Sequence, residues 1–147
     1  MRACVVVCGL MLVAVCGCSG KKMADADLYN VQAGVGAGLP YPVMEWKAIT
    51  TSVDRGEETT TLFGNDAAVA AARAGEAYPA GAVLGLVTWK QREDPHWFGA
   101  RIPGQPVSVE FVVVGTGVDR EFVGTPWKEV AGSAATEIEG MKPALAP

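Results

Sequence analysis

At 147 residues, with a formal charge of −4 and half of its residues apolar, the chain has room for one ordinary domain and is too apolar for global disorder. Its acidic balance, without any cluster of Lys and Arg interleaved with aromatics, argues against nucleic acid as a partner. All four cysteines lie before residue 19, so the remainder has no thiol for a disulfide, a zinc site or a thioether.

Those cysteines belong to a leader. Arg2 supplies a short basic region and residues 5–15 an uncharged apolar run. The run suits a signal-peptide core and falls short of the roughly 20 apolar residues a spanning helix needs. It closes on Val15-Cys16-Gly17-Cys18, then Ser19-Gly20-Lys21-Lys22. That pattern resembles a bacterial lipobox, in which small side chains let the peptidase hold an extended backbone beside the acylated cysteine. Cys18, preceded by Gly17, fits better than Cys16, preceded by Val15; an ordinary signal peptide with incidental cysteines is the alternative. The expectation is a signal peptide over residues 1–17, and palmitate-type acyl chains on Cys18 that hold the protein at a membrane surface. The site would be the bacterial envelope, on the periplasmic face of the outer membrane.

Residues 18–42 read as a flexible tether, with a loose helical turn over residues 25–32. Gly34-Val35-Gly36-Ala37-Gly38 lacks the third glycine of a dinucleotide fingerprint and has no strand before it. Pro40 stops a helix from starting there, so a phosphate loop is set aside. Residues 46–53 alternate as a strand, Asp54 to Glu57 turn, and the β-branched residues 58–63 return, which predicts a hairpin. Glu57 and Glu58 are neighbours on a strand and point to opposite faces, so they cannot share a proton as a catalytic pair would.

Asn65 is placed to cap a helix over residues 66–74. Asp66 suits its positive end, Arg73 its negative end, and Gly75 supplies the left-handed stop. The side chains are nearly all methyl groups around Val69, which makes a thin packing helix without polar chemistry. After a turn at Pro79 and Gly81, residues 82–89 are apolar on both alternating sets, as in a strand covered on both faces. Lys90 to Asp94 mark emergence into solvent, and residues 95–104 an irregular crossing. Residues 107–114 form a second long strand, with Glu110 facing away from Val109 and Phe111. Past Gly115 the pattern weakens: Phe122 and Val123 suggest a short strand, Gly124 to Trp127 a turn, and residues 131–147 a poorly ordered tail.

Three blocks, read together, resemble the cytochrome P-460 family: Thr61-Leu62-Phe63-Gly64-Asn65-Asp66, Tyr78-Pro79-Ala80-Gly81 running into Thr88-Trp89-Lys90, and Ile102-Pro103-Gly104 continuing to Val109-Glu110-Phe111. With Trp46 and the strand after it, the likeness covers residues 43–115, within a domain drawn over 43–130. The resemblance implies an α+β, mainly β, fold, and the strands counted above make an antiparallel sheet of about five strands with short helices packed on it. It also implies an extracytoplasmic location, frequent homodimers, and a covalent haem that acts on hydroxylamine or binds nitric oxide. In the family that haem hangs on a Cys-x-x-Cys-His motif near the C-terminus. This chain has no Cys and no His after Phe111.

The expectation is therefore a lipid-anchored binding or structural module with no haem cofactor. The alternatives are a member of the same family that holds haem without thioethers, or a chain whose C-terminus reflects a shifted reading frame. His96, the sole histidine, is the candidate axial ligand for a loosely held haem, although one imidazole defines no site by itself. A Lys cross-links the porphyrin in some members of the family, which makes Lys90 a candidate by resemblance, but a Lys after a strand is usually its solvated end. Tyr78, Trp89, Trp97 and Trp127 are candidates to line a flat apolar pocket, or else to fill the core. The anchor has a direct check: cells fed an alkyne fatty acid should label the wild-type protein, and Cys18→Ala should abolish the label.

Overall fold

The structure, a computed structural model, describes residues 29–55, 57–132 and 138. The predicted signal peptide, Cys18 and most of the predicted tail lie outside these residues. Six strands, β1 (Lys47–Val53), β2 (Glu58–Gly64), β3 (Val83–Glu93), β4 (Arg101–Val113), β5 (Val118–Val123) and β6 (Lys128–Ala131), form one sheet in chain order. Every neighbouring pair is antiparallel. One helix, α1 (Asp66–Ala74), lies in the β2–β3 connection. The mainly β expectation holds, with one strand more than the five anticipated. β6 is four exposed residues, too short and too polar on average to announce itself.

The first hairpin forms as predicted. The amide of Asp54 donates to the Glu58 carbonyl at 3.0 Å. From β3, the Gln91 side-chain amide donates to the carbonyls of Asp54 and Glu58 at 2.9 and 2.8 Å, pinning the turn. The largest departure lies between β3 and β4. The charged run from Lys90 to Glu93 stays in the strand, and the presumed crossing shrinks to a tip between Glu93 and Arg101, which are still paired. Pro103 and Pro106 obscure the start of β4 in the sequence. They are tolerated because β5 pairs only with Ser108 to Val113, leaving the flank of β4 beside them unladdered. Gly104 is needed there, since a Cβ would stand 2.8 Å from the Lys90 carbonyl oxygen.

Side-chain alternation divides the core between the two sheet faces. On one face, Leu62, Leu84 and Val112 are buried under α1, which contributes Ala68. The helix starts where Asn65 accepts from the Ala68 amide at 3.0 Å and ends at Gly75 with φ +68°. It lies close because Gly64 has no Cβ: one added there would meet Ala68 Cβ and Ile49 Cδ1, each at 2.7 Å. Ile138, from the stretch read as a poorly ordered tail, is fully buried in the same cluster.

The opposite face carries Val87, Trp89, Val109, Phe111 and Phe122 and is covered by Val35 and Val43. The segment preceding β1 thus lies along the sheet, with Val35 and Val43 buried, Ala33, Leu39, Tyr41 and Trp46 partly buried against them, and short 3-10 turns at Val31–Ala33 and Val43–Glu45. Of the stretch expected as a flexible tether, residues 18–42, the described part places Val35 against this face of the sheet. The glycines there let a chain of spaced apolar residues follow the sheet surface. At the far edge, Arg120 and Glu129 join β5 to β6 through two hydrogen bonds of 2.7 and 2.8 Å. Hydrogen bonding from the guanidinium holds the Glu129 carboxyl below its usual range, although so exposed a pair adds little stability.

Gly85 marks where the covering segment meets the sheet. A Cβ there would stand 2.7 Å from Val43 Cγ2 and 3.2 Å from Phe111 Cε1. Gly85→Ala should destabilise the fold by about 1–3 kcal/mol through overpacking, read as a lowered urea midpoint at unchanged slope.

Candidate functional site

The aromatic-rich face of the sheet is the one that carries Trp89. Phe63 (β2), Trp89 (β3), Phe111 (β4) and Phe122 (β5) project to it, because their registers place them on the same side of the sheet. Phe63 meets Trp89 edge to face at 6.3 Å between centroids, and Phe111 meets Phe122 at 6.0 Å. The covering segment adds Tyr41, 5.2 Å from Phe111, and Trp46, 6.2 Å from Phe111. Such edge and tilted contacts are what ring quadrupoles favour.

Two indoles fasten the cover. Trp89 Nε1 donates to the Ala33 carbonyl at 2.8 Å, and Trp127 Nε1 donates to the Val35 carbonyl at 2.8 Å. Each bond satisfies an indole N–H that would otherwise be stranded against apolar rings, and each engages a carbonyl of the covering segment. Asn30 extends the fastening by donating from Nδ2 to the Pro103 carbonyl at 2.6 Å, while Arg92 donates to Asn30 Oδ1 at 3.0 Å. A cavity of about 200 Å³ lies within the cover, among Val35, Leu39, Tyr41 and Met44. Another of about 250 Å³, lined by Glu45, Trp46, Lys47, Asn65 and Asp66, lies near the start of α1.

The residues singled out in the sequence are not brought together. Trp89 and Trp127 pack on the covered face. Tyr78 packs on the opposite face, where burial pushes its phenol up. Trp97 is at the tip of the β3–β4 hairpin, 74% exposed. The pocket proposed from these four side chains is therefore not formed. His96 is on the same tip, its side chain 57% exposed and its Nδ1 3.5 Å from Asp94 Oδ1. Lys90 is exposed and lies within β3 opposite Glu58, on the face away from Trp89. Glu110 is buried on that other face, opposite Leu86 and Glu121, and is engaged by a neighbour.

The sequence reading missed the cover itself. Its signal was the odd-numbered apolar set Val35, Leu39, Tyr41 and Val43, hidden among glycines and prolines. No group of three or more His, Cys, Asp or Glu suited to a metal ion occurs among the described residues.

The family model for cytochrome P460 matches residues 41–127, from one ring of the aromatic layer, Tyr41, to another, Trp127. No curated protein matches the chain. The residues present do not fit a thioether-bound haem. No cysteine follows Cys18, and the sole histidine stands on an exposed tip away from the aromatic layer.

The indole bonds make a separable prediction. Trp127→Phe keeps a ring and removes the N–H, so it should cost about 1 kcal/mol. Amide exchange should accelerate around Val35 more than in β3. Equal protection in both places would mean that the bond does not fasten the cover.

Proposed function

Because this chain belongs to the cytochrome P460 family, we propose that it is a member without covalently attached haem, lipid-anchored through Cys18 outside the cytoplasm, which serves as a binding or structural module. The observation that carries this reading is the aromatic face: the surface broad enough for a flat ligand is filled by residues 29–46 of the chain itself. The chemistry of the side chains agrees. Thioether capture needs sulfur beside the porphyrin, and Cys18, the cysteine that closes the lipobox, is committed to lipid in this reading. An axial ligand must lie over the porphyrin plane, whereas His96 stands among solvated neighbours on a hairpin tip.

With the redox group absent, the domain works through shape. A closed, aromatic-filled sheet held at a membrane surface presents its rims and turns to partners. Homodimerisation, which the family resemblance implies, belongs to the same proposal.

The test is a visible spectrum of protein purified from cells supplied with haem. The expected outcome is no Soret band and no porphyrin retained after acid–acetone extraction. A Soret band that disappears in His96→Ala, or porphyrin that survives extraction, would establish haem chemistry and overturn the proposal.

A further inference from the structure

We propose that the β3–β4 hairpin tip is a second membrane contact, in which Trp97 and Phe98 enter the interface of the lipid bilayer that carries the N-terminal anchor. The inference rests on the lipid-anchor reading for its orientation and on the hairpin for its chemistry. Trp97 is 74% exposed and Phe98 wholly so, adjacent and without cover among the described residues. Their backbone is ordered. Asp94 donates to the Ala100 carbonyl at 2.9 Å, Ala100 donates to the Trp97 carbonyl at 3.1 Å, and the His96 amide donates to Asp94 Oδ1 at 2.8 Å. A built turn that presents an indole and a phenyl ring to solvent suits an interface that is apolar below and wet above, where tryptophan is enriched.

The place of the tip in the fold names the occupant. Asn30 is hydrogen-bonded to Pro103 and Arg92 at the base of this same hairpin. The chain that leads back to Cys18 therefore leaves the domain beside the tip. The eleven steps from Cys18 to Tyr29 span at most about 40 Å, so an anchored protein keeps this end near the bilayer. Other exposed apolar side chains gather at the same end: Tyr29 at 67%, Val31 at 62%, and Val53, at the end of β1, at 64%. Charge is balanced around the tip, with Arg92 and Arg101 against Glu93 and Asp94. Attachment is thus by apolar burial and not by attraction to anionic headgroups, which makes it insensitive to salt.

The experiment uses the full lipidated protein in vesicles of phosphatidylethanolamine and phosphatidylglycerol with brominated acyl chains. Bromolipid should quench one component of the tryptophan emission, equally at low and high salt, and that component should be missing in Trp97→Phe. Protein carrying both Trp97→Ala and Phe98→Ala should transfer between vesicles about tenfold faster or more. Both side chains are exposed, so circular dichroism should show an unchanged fold. Full quenching in Trp97→Phe, unchanged transfer in the double variant, or quenching that salt abolishes would overturn the proposal. A double variant that loses self-association without any change in quenching would instead assign the tip to a second copy of the chain. Fatty-acid labelling of Cys18 is read separately: label without Trp97 quenching removes the tip contact alone, and Trp97 quenching without label removes the anchor alone.

Discussion

A sheet of this kind has two apolar faces and must cover both, and here everything follows from the second cover. The first face is closed by α1, a thin helix that needs only Gly64 beneath it. The second is closed by an irregular segment whose own backbone bonds are confined to two short turns, so the stretch between them is held by the sheet. Two indole N–H groups, from Trp89 and Trp127, accept that task. They convert aromatic side chains that would otherwise be mere filling into fasteners, because a buried donor without an acceptor is worse than none.

That arrangement determines what the domain offers chemically. Alternate residues of β2 to β5 form a flat apolar surface within the part of the chain that matches the cytochrome P460 family. That surface is covered by Tyr41, Trp46 and Val43. The polar side chains left over are scattered: His96 on a tip, Lys90 on the opposite face, Glu110 buried beyond it. Among the described residues these groups do not converge on one site.

Much of the fold was legible in the sequence, for reasons visible residue by residue. The helix at Asp66–Ala74 carried its own cap and stop, and β3 carried an apolar pattern that only a doubly covered strand needs. Those signals are local. The beginning of β4 was not legible, because Pro103 and Pro106 look like loop residues until the missing β5 partner beside them is known. The cover was hidden for a related reason: glycines and prolines between Val35 and Val43 read as freedom, whereas their role is to let the backbone follow a surface formed by residues far along the chain. Ile138 likewise gains its meaning from Leu62, Leu84 and Val112. In the candidate site, residue type was legible and proximity was not: of the four aromatics weighed as pocket lining or core, Trp89, Trp127 and Tyr78 pack in or against the core on two faces and Trp97 stands on a tip.

The two prolines of β4 have a bearing on how this molecule behaves when crowded. An unladdered strand flank is ordinarily a template on which another polypeptide can polymerise, since its amides and carbonyls await partners. Along this flank Pro103 and Pro106 bring no amide hydrogen, and the Pro103 carbonyl is already occupied by Asn30. A foreign strand would find the register broken at both positions. Wherever copies of a protein meet at high density, a flank that resists templating keeps neighbours from fusing into fibres.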